Sequence, residues 1–303
     1  MDPHLADRSV VIVTLDSCRY DVAAQARVPH LSALGPLLRA ESPGTYTLPA
    51  HAALFNGSLP RPVSGPLSVN GKRVEALWRS AAARGSVKRA AIPFDTPTLM
   101  EHYAGRGYRV IGAGGVTFFD PQDQANGLPI PFPEFHYFGK PSRAAATTAG
   151  RVVNRESALP LAHAPFLAER CLEAERFFLF VNCQSTHIPY TTPNSLLTDE
   201  TTGLLRRLYR LHDLKAPPPG DAHLVQEEVH QLLAMQRRAL EWADARLGEL
   251  FTLLSQREPL VVVCADHGEE FGEGGRYGHG HPHPTVSTVP LWRGLLEHRQ
   301  GER

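Results

Sequence analysis

Two segments of the chain place metal-binding types of side chain just after runs of apolar residues. Asp16 follows the run Val10–Leu15, and Asp266 and His267 come just after the run Leu260–Cys264. Carboxylate oxygens and imidazole nitrogens are the donors that hard or borderline divalent cations take in proteins. Asp16 alone is equally compatible with a helix cap or a turn. Together, however, the two segments indicate a cation site.

A hydroxyl side chain is expected at the start of a helix within Pro43–His51. Pro49 is tolerated in a first helical turn, which puts Thr47 at about the N-cap. The positive end of a helix accepts an oxyanion such as a phosphoryl group. If Thr47 also touches a metal, its proton is easier to remove and the alcohol becomes a usable nucleophile. The alternative is an ordinary threonine cap.

Histidines are concentrated near the end of the chain, at alternate positions of 279–283. A neutral imidazole protonates a leaving oxygen or takes a metal, and a charged one binds phosphoryl oxygens. We expect three imidazoles in the site: His187, His279 and His283. We expect His281 at the surface, and a solvated polar loop is the alternative for the whole cluster. Arg19 is expected either to bind a phosphoryl group through two N–H donors or to form a salt bridge with Asp21 or another carboxylate.

The elements that position these residues are short, continuously apolar runs between helical stretches. Four runs predict strands: Val10–Leu15, Tyr108–Ile111, Phe177–Val181 and Leu260–Cys264. Continuous rather than alternating apolarity is typical of strands covered on both faces. The clearest helix is Glu227–Leu254, and it leads into the last strand. A further helix is predicted over Val74–Ala83, and long loops are predicted over Gly114–Ser142 and Pro193–Asp221. The pattern predicts an α/β fold with a mostly parallel central sheet, helices on both faces, and ligands at the carboxyl ends of the strands.

Composition excludes several function classes. The 303 residues include 31 Lys+Arg and 31 Asp+Glu, so the zero formal charge favours neither a nucleic-acid nor a membrane partner. The 42% hydrophobic and 20% charged fractions are those of a folded chain, which we interpret as a single catalytic domain, 1–303. No signal-peptide core is evident, and the four cysteines have no CxxC spacing. We therefore expect a cytoplasmic protein with reduced cysteines and a small-molecule substrate.

The order of the motifs resembles that of sulfatase-like enzymes in the alkaline phosphatase superfamily. Asp16, Thr47–His51 and Asp266–Gly268 occur in the family's order, with Thr47 in the position of its cysteine or serine and His51 in that of its arginine. The segment 184–190 is similar to the family's His-x-Pro-Tyr segment, and the resemblance spans residues 10 to 290. It is closest to the threonine-using branch, which includes phosphoethanolamine transferases, and to small stand-alone bacterial sulfatase-like hydrolases.

The resemblance implies a ligand set for one divalent metal, zinc first and manganese second: Asp16, Thr47, Asp266 and His267. It also implies that Thr47 is the nucleophile and that His51 takes part in substrate binding. The activity implied is metal-dependent hydrolysis of a small phosphomonoester, phosphodiester or phosphonate ester through a covalent phospho-threonine. The alternatives are transfer of the phosphoryl group to a second small molecule, sulfate ester cleavage, and metal binding without catalysis.

Three departures from the family pattern sharpen these expectations. Threonine cannot give the formylglycine aldehyde that sulfatases use, which disfavours sulfate ester hydrolysis. Two-zinc phosphodiesterases of the superfamily carry an aspartate where this chain has Cys183, so the sequence does not predict a complete second zinc site of that type. The chain ends soon after Trp292, so we expect the family's C-terminal subdomain to be absent or minimal.

Overall fold

The computed structural model describes residues 7–57, 62–69, 72–76, 97–122, 127–139, 159–190, 192–193, 195, 197–214, 217–218 and 220–298. In these ranges the strands are β1 (Val10–Leu15), β2 (Leu38–Glu41), β3 (Pro62–Val69), β4 (Lys72–Ala76), β5 (Arg109–Gly114), β6 (Glu134–Tyr137), β7 (Phe177–Cys183), β8 (Leu260–Ala265), β9 (Glu270–Phe271), β10 (Tyr277–Gly278) and β11 (Thr288–Leu295). The α-helices are α1 (Tyr20–Ala23), α2 (Pro29–Leu34), α3 (Thr47–Asn56), α4 (Leu99–Gly105), α5 (Ala164–Leu172), α6 (Asp199–Asp213), α7 (Gln226–Leu254) and α8 (Pro284–Ser287).

The central sheet has seven strands in the order β2-β11-β8-β1-β7-β5-β6. The five strands from β8 to β6 run parallel, whereas β11 is antiparallel to both β8 and β2. All four predicted strands are present, and the prediction of a mostly parallel sheet is confirmed. Because β1 lies between β7 and β8, the carboxyl ends of these three strands meet at one edge.

Helices cover both faces of this sheet, as predicted, because the side chains of each strand alternate between two cores. On β1, Val11, Val13 and Leu15 face one core, which also contains buried residues of α2, α5 and α7. Val10 and Ile12 face the other core, to which α3 and α4 contribute. Burying one such side chain fully contributes roughly 1.5–3 kcal/mol, so the continuous apolar run stabilises both layers.

The longest helix, α7, confirms the helix predicted over Glu227–Leu254 and measures about 43 Å at the ordinary rise per residue. Its carboxyl-terminal half packs Leu247 and Leu254 against the sheet, while Leu232 and Met235 near its start join a third apolar cluster with α6. The helix therefore connects the core of the sheet to the loops at its carboxyl edge.

Three predictions of secondary structure were wrong. A loop was predicted over Pro193–Asp221, but Asp199–Asp213 is the helix α6, whose buried leucines recur every three or four residues: Leu204, Leu205, Leu208 and Leu211. A second loop, predicted over Gly114–Ser142, contains the edge strand β6. A helix was predicted over Val74–Ala83, but β4 occupies the first three of these positions and the others lie outside the described residues.

Among the described residues, no helix combines the length and apolar character needed to cross a bilayer. The four cysteines, all of which are described, are free. Three of them are buried, and Cys264 is partly buried.

Candidate active site

Two neighbouring strands bring the predicted metal ligands together. Leu15 and Ala265 are register partners at the ends of β1 and β8, so Asp16 and Asp266 leave the sheet side by side. Ser17, which follows Asp16, has a positive φ of 60°. This turn lets its backbone N–H donate to Asp266 Oδ1 at 3.1 Å. Parallel pairing of two apolar runs therefore produces a buried acidic pair.

The imidazole of His267 completes this cluster. Its Nε2 lies 3.8 Å from Asp16 Oδ1 and 3.6 Å from Asp266 Oδ2, and all three side chains are buried. Among the described residues, neither Asp266 Oδ2 nor His267 Nε2 has a hydrogen-bond partner. Buried polar atoms without partners are costly, so their convergence on one point calls for a ligand from outside the chain.

Burial and like charge shift the pKa values of Asp266 and His267 so that the neutral form of each side chain is favoured. Burial, followed by the charge of Asp16, raises the pKa of Asp266 well above its ordinary value. Burial lowers the pKa of His267 to about 4, so the ring is neutral at neutral pH. A cation between these side chains would neutralise the carboxylates and use the neutral imidazole as a donor.

The donor set fits a zinc-type cation. His267 Nδ1 lies 2.9 Å from the Gly268 carbonyl oxygen, so Nδ1 carries the proton and Nε2 keeps its lone pair for a metal. The Asp16 carboxylate is oriented by the Asn182 side-chain amide at 3.4 Å and by the Ser17 hydroxyl at 3.3 Å. These hydrogen bonds orient the side chains of the cluster. Two carboxylates and one imidazole are ligands that divalent zinc accepts.

Thr47, the predicted nucleophile, begins α3 and is buried. The N-cap is Tyr46 rather than Thr47, which occupies the first helical position, one residue later than expected. Thr47 lines a cavity of about 280 Å³, whose polar wall also contains His187, His212, Glu269 and His279. Val116, Phe118 and Ile188 supply apolar surface to the same cavity. A hydroxyl group at a helix start therefore opens into a space that a small substrate can enter.

His51, predicted to bind substrate, is instead a buried structural residue. Its Nδ1 lies 2.7 Å from the Thr47 carbonyl oxygen, and its Nε2 lies 2.9 Å from Thr14 Oγ1. Burial lowers its pKa to about 4, and three phenylalanine rings surround it edge-on: Phe55, Phe119 and Phe180. With both ring nitrogens engaged, His51 attaches the first turn of α3 to β1 and so positions Thr47.

Arg19 takes the second of its two predicted roles. Its guanidinium donates to both Asp21 carboxylate oxygens, at 2.8 and 2.6 Å, and the side chain is buried. The third nitrogen, Nη1, contacts the Glu269 carbonyl oxygen at 3.0 Å and Glu273 Oε1 at 2.5 Å. Arg19 is therefore committed to ion pairs and holds the loop after β8 against the loop after β1.

The predicted histidines separate into two groups. His187 and His279 share the cavity with Thr47, and their ring centroids lie 5.4 Å apart. His283, predicted to be catalytic, caps α8 by accepting the Thr285 backbone N–H at 3.2 Å, and it is not among the residues that line the cavity. His281, predicted at the surface, is only 14% exposed and contacts Glu270 Oε2 at 2.6 Å.

Two residues of this edge were not identified from the sequence. His212 reaches the cavity from α6, inside the segment interpreted as a loop; the leucine spacing of that helix was the available signal. Gln236 of α7 donates to the carbonyl oxygens of Ser17 and Thr186 at 2.9 and 3.1 Å. It ties the two strand-end loops together, and no local pattern marks a glutamine for this role.

Glycine is required at one turn of the site. Gly278 has a φ of +79°, and a Cβ there would clash with the His212 ring. The close approach lets the next residue, His279, donate its backbone N–H to His212 Nδ1 at 3.3 Å. The turn at Gly278 thus brings the imidazoles of His212 and His279 together.

Comparison with known proteins agrees with this geometry. A family model described as Sulfatase matches residues 8–288. No curated protein sequence gives a significant match. The C-terminal periplasmic domain of EcEptC from Escherichia coli, in complex with Zn, is 16% identical, with a TM-score of 0.58 over 96% of this chain and 73% of that one.

Two further solved structures are similar. Phosphonate monoester hydrolase of Agrobacterium radiobacter is 17% identical, with a TM-score of 0.60 over 94% of this chain and 68% of that one. The integral membrane protein lipooligosaccharide phosphoethanolamine transferase A (EptA) of Neisseria meningitidis is 15% identical, with a TM-score of 0.57 over 97% of this chain and 49% of that one. At these identities the structures show the shared fold, whereas the family model covers most of the chain. The chain belongs to the sulfatase family, within the sulfatase-like alkaline phosphatase superfamily of metal-dependent hydrolases and transferases.

Proposed function

We propose that this protein hydrolyses a small phosphorus ester, a phosphomonoester, phosphodiester or phosphonate ester, through a covalent phospho-threonine at Thr47. The observation that carries the proposal is the cavity in which Thr47, His187 and His279 meet. The His279 ring lies beside that of His267, 4.5 Å between centroids, so this cavity adjoins the acidic cluster. Zinc or manganese would be held by Asp16, Asp266 and His267, with Thr47 as the further ligand that the family resemblance implies.

The chemistry follows from the positions of the chain's own groups. The Thr47 oxygen attacks phosphorus and passes its proton to one of the two cavity imidazoles, His187 or His279, while the bond from phosphorus to the leaving oxygen breaks. That imidazole gives the proton to the leaving oxygen. Water then attacks phosphorus and gives one proton to the Thr47 oxygen as the bond between phosphorus and Thr47 breaks. The positive end of α3 binds phosphoryl oxygens. The cation supplies charge stabilisation and lowers the pKa of the hydroxyl group.

The test is replacement of the nucleophile. Thr47→Ala is expected to lower turnover of p-nitrophenyl phosphate, bis-p-nitrophenyl phosphate or p-nitrophenyl phenylphosphonate by at least about 10³-fold, while the melting temperature stays near wild type. Turnover is measured at saturating zinc, because the variant loses one of the proposed metal ligands and keeps the other three. Thr47→Ser retains the hydroxyl and should keep part of the activity. Mass spectrometry of the acid-quenched wild type should find a phosphoryl group on the peptide that contains Thr47.

The matched control is Thr252→Ala, which removes a hydroxyl group on α7 that donates to the Gly248 carbonyl oxygen. Its turnover should equal that of the wild type. Wild-type turnover in Thr47→Ala would contradict the nucleophile assignment. An acceptor alcohol that diverts product would favour the transferase alternative, and p-nitrophenyl sulfate as the only substrate cleaved would favour the sulfoesterase.

A further inference from the structure

The cavity lined by Thr47 carries two carboxylates on its walls. Glu269 follows β8 and its side chain is 1% exposed, whereas Asp213 is the exposed last residue of α6. Of the described residues that line the cavity, none is a lysine or an arginine. A substrate in this cavity therefore meets carboxylates rather than permanent positive charges.

The two side chains that the sequence offered as substrate-binding groups are held elsewhere. Arg19 forms ion pairs with Asp21 and Glu273, and both ring nitrogens of His51 are engaged within the fold. Neither residue is among those that line the cavity. A phosphoryl group with two negative charges thus lacks the paired N–H donors that an arginine would supply.

The rest of the wall suits an uncharged substituent on phosphorus. Val116, Phe118 and Ile188 supply apolar surface to the cavity. A phosphodiester or a phosphonate ester carries one negative charge and one uncharged substituent, in the place where a phosphomonoester carries a second negative charge. Packing that substituent on apolar surface is favourable, whereas placing a second charge near carboxylates is not.

We propose that this cavity selects phosphorus esters with a single negative charge, and that Asp213 is a specificity-determining residue that disfavours the doubly charged phosphomonoester. The inference rests on the proposed function and narrows its substrate to a phosphodiester or a phosphonate ester. Asp213 acts by charge repulsion across the cavity. One such interaction at short range in water corresponds to about three- to tenfold in affinity.

Two other roles for Asp213 are separable from this one. A carboxylate at the last residue of α6 lies at the negative end of the helix dipole, so helix stability does not explain it. Within the described part of the chain it also forms no ion pair that would neutralise it. A cationic amine on a substrate would be attracted to the same carboxylate. Probes without an amine therefore isolate the effect of the charge on phosphorus.

The test compares two probes that differ by one charge. p-Nitrophenyl phosphate carries close to two charges at about pH 8, and p-nitrophenyl methylphosphonate has a methyl group in place of one charged oxygen. The full-length protein is stripped of metal with a chelator and saturated with zinc chloride, and kcat/KM is measured for both probes. Wild type should prefer the methylphosphonate.

Substitution of Asp213 should reduce this preference. Asp213→Asn should lower the ratio of the two kcat/KM values, methylphosphonate over phosphate, by about three- to tenfold, and Asp213→Lys by about ten- to a hundredfold. The matched control is Asp199→Asn, which neutralises an exposed aspartate in the first turn of the same helix, about 20 Å away, and should keep the wild-type ratio.

Ionic strength separates a charge effect from a change in the shape of the cavity. The difference between wild type and Asp213→Asn should shrink as sodium chloride rises from about 0.05 M to about 0.5 M, because salt screens exposed charges. A difference that does not depend on salt, or equal ratios in Asp213→Asn and Asp199→Asn, would overturn the proposal.

A binding experiment gives the same comparison without turnover. Phenyl phosphate and phenyl methylphosphonate are titrated by calorimetry into zinc-saturated Thr47→Ala, with and without Asp213→Asn. The ratio of their Kd values should change in the same direction as the kinetic ratio. Charge-dependent binding without ester cleavage by wild type would support the selection and contradict the proposed function, whereas ester cleavage that does not depend on Asp213 would do the reverse.

Discussion

Charged side chains cluster at both edges of the central sheet, but they are arranged in opposite ways. At the amino ends of β5 and β6, Glu134 contacts Arg109, Arg170 and His136, each at 2.8 Å. At the carboxyl ends of β1 and β8, Asp16 and Asp266 lie together, and His267 Nε2 lies within 3.8 Å of a carboxylate oxygen of each. The first cluster is complete within the chain, whereas the second concentrates like charges.

The pKa values record this difference. For Glu134, burial opposes ionisation, but the hydrogen bonds from Arg170 and His136 outweigh it and lower the pKa to about 2. For Asp266, burial and the charge of Asp16 act in the same direction and raise the pKa. The amino edge therefore stabilises the charged form of Glu134, whereas the carboxyl edge destabilises the charged form of Asp266.

The contrast shows which edge is built for stability and which for a ligand. Buried like charges persist only where the surrounding structure holds them in place, and such places are typical of functional sites. Here the restraints are the Asn182 amide on Asp16, the Ser17 N–H on Asp266 and the bridge from Gln236. The fold therefore stabilises an arrangement that a cation would complete.

Asp266→Asn should have the largest effect of the substitutions at the two edges. Losing this carboxylate should remove the metal from the cluster of Asp16, Asp266 and His267 and lower ester turnover by at least about 10³-fold. The stripped variant should nevertheless be more stable than the stripped wild type, by about 1–2 kcal/mol, because the substitution removes one of two buried like charges. Urea unfolding at neutral pH in the presence of a chelator measures the difference.

A lower stability of stripped Asp266→Asn would contradict this account of the acidic edge. Asp244→Asn provides the control, because Asp244 is a buried aspartate that already accepts the backbone N–H groups of His30 and Leu31. Its neutralisation changes a buried aspartate outside the acidic cluster and should leave the metal content unchanged.

The two edges should also differ in acid. Burial lowers the pKa of His51 to about 4, below its usual value of 6.5, so the unfolded chain binds the proton first as the pH falls. The contribution of His51 is therefore present above about pH 6.5 and is lost as the pH falls toward 4, by up to roughly 3 kcal/mol. The measurement compares stripped wild type with His51→Gln by urea unfolding from pH 7 to pH 4, because the difference cancels the other titrating groups.

The stability advantage of wild type over His51→Gln should shrink steadily across this range. If the stability difference between wild type and His51→Gln does not change with pH, the fold does not depend on a neutral His51 ring.

The parts that could be predicted from the sequence are those that depend on one strand at a time. Continuous apolar runs predicted parallel strands, and their carboxyl ends then placed Asp16 beside Asp266. The structure confirms this because the two runs are adjacent in the sheet. The predicted Thr47 helix also formed, shifted by one residue at its start.

The parts that could not be predicted depend on contacts between distant elements. His51 was assigned to substrate because its position in the motif is clear, but its Thr14 and Thr47 partners appear only once α3 packs on β1. His212 lies 67 positions before His279, and only the docking of α6 joins them. For Arg19, the sequence left open phosphoryl binding or a carboxylate partner, and in the fold it pairs with Asp21 and Glu273.

The smallest expected effect belongs to the amino edge. Glu134→Gln should lower stability by only about 1–2 kcal/mol, because the pairs are partly exposed and Arg109 and Arg170 both keep Glu173 as a partner. A carboxylate with a lowered pKa stabilises the fold above its unfolded value, so the wild-type advantage should be constant above about pH 4.5 and fade toward pH 2. Urea rather than guanidinium unfolding keeps the ion pairs unscreened. Ester turnover and zinc content should match wild type, and a loss of either would mean that the two edges are coupled and that the sheet does not separate stability from chemistry.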